Sequence, residues 1–416
     1  MGERRAGARR SVAEPKALAG RPALRLVRGG PVTVRARAAA ARTDLRLLIG
    51  AVLFLTMLGL VMVLSAGSVS AAQGYDGNSF WYFQRQIVYA VVGLAAMVLI
   101  WRMPYRAWRR LCLPLLLVSG VAMVIAVAHP SRTCLYGACR WIDLGPVTLQ
   151  PSEFAKLALV AFAATVLSRK WRLIGDAGHL LIPLVPVTVV VVILVLLQQD
   201  LGTAVILSGS VFLLAFVAGA RAKHLVVGGI VGLAGVAALI FGTAYRRIRF
   251  FEAWLDPGAD PKGDGYQLIQ SLVAIGSGGW FGTGLGTSRA KWDFLPNAHS
   301  DFIFAVIAEE LGMAGAIGVL LGFALLLFAG IRIALHADDL FGRLLAGGIV
   351  AWIGLQTVIN LGAVTGLLPI TGVPLPFLSF GGTALVATLA GVGVLASVAR
   401  ASARPTRGRR APGSPS

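Results

Sequence analysis

Long runs of apolar residues are the feature that most restricts how this chain can fold. Several runs contain about 18 or more such residues, which exceeds what a buried core helix needs and matches one crossing of a bilayer. The chain is 57% hydrophobic and only 13% charged, whereas roughly a quarter of the residues of a soluble domain are charged. We therefore expect an all-α polytopic membrane protein with ten transmembrane helices. The expected spans are 45–65, 86–101, 111–129, 151–168, 181–198, 201–219, 225–243, 302–330, 344–366 and 382–399.

The first, fifth and sixth spans need separate arguments. The polar residues 1–43 do not form a secretory signal peptide, so the first span should be retained as an anchor. The fifth and sixth spans form one apolar block that is interrupted only by "QQD" at 198–200. Because the block is about twice as long as one crossing, we expect a tight hairpin there rather than one long helix.

The distribution of Lys and Arg predicts the orientation of the chain. If the amino terminus is cytoplasmic, most of the 38 Lys and Arg residues fall on the inner side, as the positive-inside rule requires. We therefore expect both termini in the cytoplasm and a large extracytoplasmic loop, 244–301, between spans seven and eight. The membrane domain then covers 44–400, between disordered basic tails at 1–43 and 401–416.

The strongly basic composition does not imply a nucleic-acid partner. The net charge is +20, and basic tails next to membrane spans usually lie against anionic lipid headgroups. Docking of a cytosolic partner is the alternative role for these tails.

The cysteines suggest one disulfide bond. Cys134 and Cys139 lie in the outer loop between spans three and four, where an oxidising compartment permits a bridge. No His lies nearby to complete a zinc site. Cys112 lies at an inner helix end and is interpreted as a packing residue.

Polar groups occur toward the outer ends of four apolar spans. Glu153 and Lys156, in "QPSEFAK" at 150–156, lie on one helical face and can neutralise each other. Asp200 lies in the expected hairpin turn, where Asp is a common residue. Asp301 begins span eight, where the helix macrodipole favours a carboxylate. The fourth group is "LPFLSFGGT" at 375–383. Since all four lie on one side, we favour a shared outward-facing polar cavity.

Two further segments need separate interpretations. In a regular helix, Glu309 lies about 12 Å deeper than Asp301 and about 80° around the helix, and Glu310 points to the opposite side. We therefore interpret them as structural. The stretch 266–276 in the outer loop is apolar but too short to cross, which predicts a re-entrant or interfacial segment. Its neighbour "GTGLG" at 282–286 lacks the strand and helix of a dinucleotide-binding fingerprint.

The location of the polar cavity restricts its chemistry. An outward-facing site has no ATP, so a group transfer there needs a donor with its own activation, such as a lipid-linked pyrophosphate. A carboxylate can act as the general base that deprotonates an attacking hydroxyl. Arg246, Arg249 and Lys291 can hold the phosphates, and a divalent cation, Mg or Mn, can share that work.

Four stretches resemble the SEDS family (shape, elongation, division and sporulation). They occur in the family's order and cover spans three to ten, and the block that ends in "EELG" is highly specific. The matching stretches are "RWIDLGPVTLQPSEFAK" (140–156), "QQDLGTA" (198–204), "GYQLIQSLVAIGSGGWFGTGLGTSRAKWDFLPNAHSDFIFAVIAEELG" (265–312) and "NLGAVTGLLPITGVPLPFLSFGGT" (360–383).

The resemblance implies a peptidoglycan glycosyltransferase that polymerises lipid II at the outer face of the cytoplasmic membrane. The family's catalytic aspartate falls on Asp301. Division-type members work with a class B penicillin-binding protein and other division proteins at the septum. The side chains expected to support the cavity are Glu153, Lys156, Asp200, Asp293 and His299. The side chains expected to bind substrate or pyrophosphate are Arg246, Arg249, Lys291 and Ser379.

The sequence departs from the family pattern at three uncharged positions. Three alternative functions also stay open. Ser300 stands where Thr is commoner, Gln199 where Pro is common, and Phe380 where Tyr is usual. A lipid II flippase is the main alternative in a different class. A non-catalytic division scaffold and a member of the elongation branch are the others.

Overall fold

The computed structural model describes most of the chain between residues 31 and 403. The side chains of 31–37, 173 and 293 are not described. Most of the two expected tails lies outside the described residues. The described ranges are 31–74, 77–128, 134, 139–145, 147–173, 178, 182–242, 247–248, 250–263 and 265–403.

The described residues are mostly helical, as the apolar runs predict. A short antiparallel ribbon of β1 (Ile142–Asp143) and β2 (Thr148–Leu149) precedes α4. The helices are α1 (Pro31–Gly74), α2 (Trp81–Arg102), α3 (Trp108–Ala128), α4 (Pro151–Arg169), α5 (Leu184–Leu197), α6 (Leu201–Val217), α7 (Ala222–Phe241), α8 (Tyr266–Ser277), α9 (Ile303–His336), α10 (Leu340–Val364) and α11 (Gly382–Ser402).

Eight helices in the described part of the chain are long and apolar enough to cross a membrane. They correspond to all the expected spans except the fifth and sixth, where α5 and α6 are shorter apolar helices. A helix rises about 1.5 Å per residue, so α5, with 14 residues, is shorter than the hydrocarbon core of about 30 Å. A polytopic helical protein is therefore established, and the count of ten crossings stays a prediction.

The first helix differs from the sequence-based prediction at its start. α1 begins at Pro31, inside the segment 1–43 that was expected to be a disordered tail. The stretch "RARAAAAR" at 35–42 explains the difference, because Ala and Arg have high helix propensity. Pro31 occupies the first position of the helix, which tolerates proline.

Three helices form the centre of the bundle. Most residues of α4 and α11 are buried, and so are most of those in α10. α2 packs along α11, α3 along α4, and α10 contacts α4, α6 and α9. Both α4 and α11 are rich in alanine, and such small residues let helices approach closely within a membrane. In contrast, α7 has no buried residue and lies at the edge of the described bundle.

The connection between α10 and α11 is irregular but buried. Val373, Leu375, Phe377 and Leu378 are all at most 3% exposed. Non-helical backbone is tolerated at membrane depth only where protein or a water-filled cavity surrounds it. We call residues 371–380 the central loop, because the candidate site is arranged around it.

Candidate functional site

Asp301 lies in the turn that leads into α9, and its side chain is half-buried. It precedes the helix by two residues, since α9 begins at Ile303. Gly372 of the central loop lies against its carboxylate: a Cβ atom placed on Gly372 would be 3.5 Å from Asp301 Oδ2. Gly372 also has a φ of +70°, which favours glycine. The central loop therefore approaches the carboxylate with a residue that adds no side chain.

Two amides of α10 hold the central loop. Gln356 Nε2 donates to the main-chain carbonyl of Pro374 at 2.9 Å. Asn360 Nδ2 donates to the carbonyls of Val373 at 2.8 Å and Asp301 at 2.9 Å. Because the two residues are four apart, both project from one face of α10. One helix face thus positions both the central loop and the main chain at Asp301.

Glu153 and Lys156 form a buried ion pair in α4. Lys156 Nζ is 2.8 Å from Glu153 Oε2, and both side chains are at most 2% exposed. The same ammonium donates to Gln356 Oε1 at 2.9 Å and lies 5.5 Å from the centre of the Trp352 ring. The pair therefore reaches the central loop indirectly, through Gln356. Mutual neutralisation accounts for its tolerance in the bundle.

Asp200 caps α6. Its carboxylate accepts hydrogen bonds from the Thr203 main-chain N–H at 3.0 Å and the Thr203 hydroxyl at 2.9 Å. Arg140 Nη1 is 3.9 Å from Asp200 Oδ2, the oxygen that also accepts from the Thr203 hydroxyl. A capping role is thus sufficient to explain the buried acid. Two residues further on, Gly202 packs closely against Thr371 and Val373 of the central loop.

His299 lies in a group of aromatic rings beside the central loop. Its ring centre is 4.2 Å from that of Tyr82 and 5.9 Å from that of Phe380. Its main-chain carbonyl accepts a hydrogen bond from the Phe380 N–H at 3.0 Å. Burial lowers the pKa of His299 to about 4, so the imidazole is neutral at pH 7. The ring therefore contributes packing rather than positive charge, and the hydrogen bond at this residue is made by its main chain.

The predicted substrate-binding residues are placed differently from one another. The Ser379 hydroxyl accepts from the Leu375 N–H at 2.8 Å and so shapes the central loop. Lys291 is 7% exposed and lines a cavity on the α1 side. Asp293 lies in a π-helical turn, Ala290–Phe294, and its side chain is not described. Arg246 and Arg249 lie outside the described residues.

The structure joins Cys134 and Cys139 by a disulfide bond. Cys112 is buried and unpaired in α3, and its sulfur lies 3.8 Å from the hydroxyl of Thr165 in α4. A packing position between these two helices agrees with the interpretation made from the sequence.

Glu309 and Glu310 anchor the outer loop to a break in α9. Glu309 accepts hydrogen bonds from the Ser288 hydroxyl and from the main-chain N–H groups of Arg289 and Ala290. Glu310 accepts from the Ser65 hydroxyl and the Ser288 N–H. These bonds satisfy both carboxylates inside the bundle, so they support the structural interpretation.

Glycines form the break in α9 and let the outer loop pack against it. Gly312 has a φ of 66° and interrupts α9, which leaves backbone groups without helical partners. Thr283 and Gly284 N–H groups donate to the carbonyls of Glu309 and Glu310 at 3.0 Å. A Cβ atom on Gly282 would lie 2.1 Å from the Glu310 carbonyl oxygen. Only glycine fits this close contact between the outer loop and α9. We call residues 278–284 together with 308–314 the clasp.

Sequence reasoning missed Asn360, Gln356 and the aromatic neighbours of His299. The signal for the first two was present, because Gln356 and Asn360 are polar, four residues apart and inside an apolar span. Such residues are costly in a membrane unless they find partners. Their partners are main-chain carbonyls of a distant loop, and the pattern along α10 does not identify them.

A divalent cation finds few protein ligands here. Within the described residues, no group of three or more His, Cys, Asp or Glu side chains could hold a metal ion. Mg²⁺ is commonly bound through one or two carboxylates together with phosphates of a substrate. Such a site needs fewer protein ligands than a group of three.

Comparison with known proteins identifies the chain's relatives. A family profile for FtsW, RodA and SpoVE, described as "Cell cycle protein", matches residues 45–404. Stage V sporulation protein E of Bacillus subtilis is 43% identical over 359 residues, which cover 86% of this chain and 97% of the relative. A "Probable peptidoglycan glycosyltransferase FtsW" from Geobacter metallireducens is 40% identical and covers 86% of this chain and 94% of the relative.

Two solved structures share the architecture. One, named "Structural coordination of polymerization and crosslinking by a peptidoglycan synthase complex", contains a chain with 33% identity and a TM-score of 0.69. It covers 85% of this chain and 97% of that chain. The other is the rod shape determining protein RodA of Thermus thermophilus, with 31% identity, a TM-score of 0.63, and coverage of 85% and 95%.

Proposed function

The chain belongs to the family of FtsW, RodA and SpoVE, the SEDS family, and we propose that it is a peptidoglycan glycosyltransferase that polymerises lipid II. The match over residues 45–404 carries this proposal. Relatives of similar length are named as peptidoglycan glycosyltransferases. The apolar helices and the family together make it a multi-pass membrane protein. The full topology that we propose has ten crossings, cytoplasmic termini and an outward-facing site.

The reaction that we propose is a single displacement with inversion. The Asp301 carboxylate takes the proton from the C4 hydroxyl of an acceptor N-acetylglucosamine. The resulting oxygen forms a bond to the anomeric carbon of the donor N-acetylmuramic acid as the bond to the phosphate oxygen breaks. Undecaprenyl pyrophosphate leaves with both electrons of that bond. We assign the offsetting of its charge to the basic residues predicted from the sequence, Arg246, Arg249 and Lys291.

The geometry around Asp301 supports its role as the base. Its side chain is half-buried, so a substrate can reach it, while its main chain is held by Asn360. Gly372 leaves space beside the carboxylate. A base must lie within hydrogen-bond reach of the proton that it removes. The held main chain at Asp301 and the missing side chain at Gly372 support this role.

A divalent cation, Mg or Mn, remains part of the proposal. The described side chains do not form a metal cluster, so we assign its binding chiefly to the pyrophosphate of the substrate. When bound, it would neutralise charge on the departing pyrophosphate.

The activity is tested with purified full-length protein, lipid II and a divalent cation. The Asp301→Asn variant keeps the shape of the side chain but cannot act as a base. We expect glycan polymer from the native protein and none from this variant. Asp256→Asn is the control, because Asp256 is an exposed carboxylate of the outer segment. Normal polymer from Asp301→Asn would refute the assignment of the base.

The flippase alternative has weaker structural support. Glu309 and Glu310 are the acids that a transport path through the bundle would use, and both are engaged by the main chain of the outer loop. Reconstituted vesicles separate the two functions. Translocation of lipid II without polymer formation would favour transport, and polymer formation favours the enzyme.

The biological setting that we propose is septal wall synthesis. A class B penicillin-binding protein would supply the crosslinking activity, together with other division proteins. The solved complex whose name describes polymerisation and crosslinking supports such a partnership. A fluorescent fusion distinguishes the branches of the family, since a division-type protein collects at midcell and an elongation-type protein at growing wall.

A further inference from the structure

The clasp exposes two aromatic side chains on the surface of the bundle. Trp280 and Phe281 are 72% and 88% exposed, although the main chain beside them is fixed to α9. The Met313 N–H donates to the Gly279 carbonyl at 2.9 Å. The Ala314 N–H donates to the Trp280 carbonyl at 3.1 Å. Two large rings on a held backbone therefore lie outside the packed bundle, and their height relative to the membrane decides what covers them.

The length of α9 gives that height. Toward the end of α9, Arg332 Nε is 2.7 Å from the buried carboxylate of Asp44 in α1, which places these parts of both helices at one side of the apolar layer. Met313 lies 19 positions before Arg332, and no charged residue occurs between them. At about 1.5 Å per residue, this part of α9 is about 28 Å long, close to the roughly 30 Å of the hydrocarbon core. The clasp therefore lies at the opposite boundary of the core.

The first helix gives the same height independently. Ser65 lies 21 positions after Asp44 within α1, which corresponds to a rise of about 32 Å. The Ser65 hydroxyl donates to the Glu310 carboxylate at 2.6 Å, and Glu310 belongs to the clasp. In the topology that we propose, Asp44 is at the cytoplasmic side, so the boundary at the clasp belongs to the outer leaflet.

The aromatic pair continues an exposed apolar stripe of α9. Met313, Ile317 and Leu321 are exposed, and their spacing of four residues places them on one side of the helix. Because α9 is long and apolar enough to cross a membrane, such a stripe contacts lipid chains. The hydrogen bonds of the clasp hold Trp280 beside the outer end of this stripe.

The segment that carries the two rings is uncharged. Residues 265–288 contain no Asp, Glu, Lys or Arg, although both flanking parts of the outer segment contain several. Leu272 and Val273 of α8 are exposed as well. On the other side of α8, the Ser271 hydroxyl donates to the Val364 carbonyl at the end of α10. An uncharged segment with apolar side chains turned outward suits a membrane boundary, where Trp is enriched because its ring is amphipathic.

We propose that the tip of the clasp, Trp280 and Phe281, inserts into the outer leaflet at the boundary between lipid headgroups and acyl chains. The bilayer then holds the outer loop from one side while α9 holds it from the other. This position is interfacial, because the clasp lies a full core thickness from Asp44. The proposal concerns attachment to lipid and does not depend on glycosyl transfer at Asp301.

The test measures the depth of a spin label by electron paramagnetic resonance. The full-length protein is placed, without any other protein, in nanodiscs of phosphatidylcholine and phosphatidylglycerol. The chain has three cysteines, of which Cys134 and Cys139 are joined. Cys112→Ala therefore leaves no free thiol, and a cysteine added to this background is the single labelled position.

Three labelled positions are compared. Phe281→Cys reports the tip of the clasp, Leu321→Cys reports the lipid-facing middle of α9, and Lys262→Cys reports an exposed position in the charged part of the outer segment. Oxygen concentrates in hydrocarbon, whereas a nickel chelate stays in water, so the ratio of their collision rates with the label increases with depth. Leu321 lies about 12 Å deeper than Met313, so the ratio at Phe281→Cys should be about twofold or more below that at Leu321→Cys. It should exceed the ratio at Lys262→Cys by about the same factor.

A second label leaves both rings in place. A label at Met313→Cys, which lies beside the rings, should also give an intermediate ratio. Adding Trp280→Ser and Phe281→Ser should increase its collisions with the nickel chelate, because water replaces the rings at the boundary. Trp171→Ser is the control, since Trp171 is an exposed ring that follows α4 at the other end of the bundle, and it should leave the collisions unchanged.

Four results would overturn the proposal. Nickel collisions at Phe281→Cys equal to those at Lys262→Cys would place the tip in water. A ratio equal to that at Leu321→Cys would place it inside the core. Low collision rates with both reagents would show that protein covers it, as in contact with a second copy of the chain. Unchanged nickel collisions at Met313→Cys after removal of both rings would show that the rings do not contact the boundary.

Discussion

Asn360 donates a hydrogen bond of 2.9 Å to the main-chain carbonyl of Asp301, although the two residues are 59 positions apart in the sequence. The same amide group also holds Val373 of the central loop at 2.8 Å. One side chain in the middle of the membrane domain therefore fixes the proposed base relative to the loop that faces it. This makes Asn360 a positioning residue for Asp301.

Removal of that amide should reduce the rate of polymerisation without removing the base. In Asn360→Leu, the buried carbonyl of Val373 and the partly buried carbonyl of Asp301 lose their donor, and an unsatisfied buried group costs about 1–3 kcal/mol. A misplacement of about 1 Å can reduce a rate on the order of a hundredfold. We expect kcat to fall about tenfold to a hundredfold in lipid II polymerisation, with a smaller change in KM.

Thr365→Val is the matched control for Asn360. The Thr365 hydroxyl bonds only to carbonyls of its own helix end, Leu361 and Gly362, among the described residues. It should therefore polymerise at the native rate. A native kcat in Asn360→Leu would show that the contact has no positioning role.

The sequence predicts the helices of this fold better than it predicts the contacts between them. The ten apolar runs locate the principal helices. Each run can be recognised from its own length and composition, because a helix that crosses lipid must be long and apolar. The break in α9 at Gly312 is hidden inside a continuous apolar run, and it depends on main-chain partners in a loop about 30 residues away. The roles of Glu309 and Glu310 follow from that break.

The candidate site shows the same contrast. Glu153 and Lys156 are recognisable as a pair, because three residues along a helix place both on one face. Their connection to Gln356 is not recognisable, since it joins helices that are 200 residues apart. Asp200 illustrates the opposite case, because its capping contact with Thr203 is local and typical of a helix start.

The buried pair in α4 allows a test that separates stability from function. Lys156→Met leaves Glu153 buried without a counter-ion, which should cost about 3–5 kcal/mol of stability. In Glu153→Gln with Lys156→Met, both charges are absent, and much of that stability should return. Thermal unfolding in detergent measures both variants.

Polymerisation by the double variant then gives the functional answer. If the pair supports catalysis, the double variant is well folded but polymerises lipid II at least tenfold more slowly than the native protein. A native rate would limit the pair to neutralising its own charges in the bundle.

Even a methyl group added to a glycine of the clasp should disrupt it. Gly282→Ala places a Cβ atom 2.1 Å from the Glu310 carbonyl oxygen at a φ of +80°, which is both a clash and a strained conformation. We expect the outer loop to detach from α9, with faster hydrogen exchange at 283–290 and a loss of polymerisation. Gly276→Ala is the control, since its added Cβ meets no atom within 4 Å. Equal exchange in the two variants would contradict a clasp held by glycine.

Acid should weaken the packing around His299. Its folded pKa is about 4, below the ordinary value of 6.5, because burial disfavours the charged ring. Above pH 6.5 both the folded and the unfolded states carry a neutral imidazole, so the stability is fully present. As the pH falls from about 6.5 to 4, the unfolded state binds a proton that the folded state does not, and the free energy of unfolding decreases. His299→Phe keeps a ring against Tyr82 and removes the titrating group. The drop in unfolding temperature between pH 7 and pH 4.5 should therefore be smaller in His299→Phe than in the native protein, and an equal drop in both would show that His299 does not contribute to acid sensitivity.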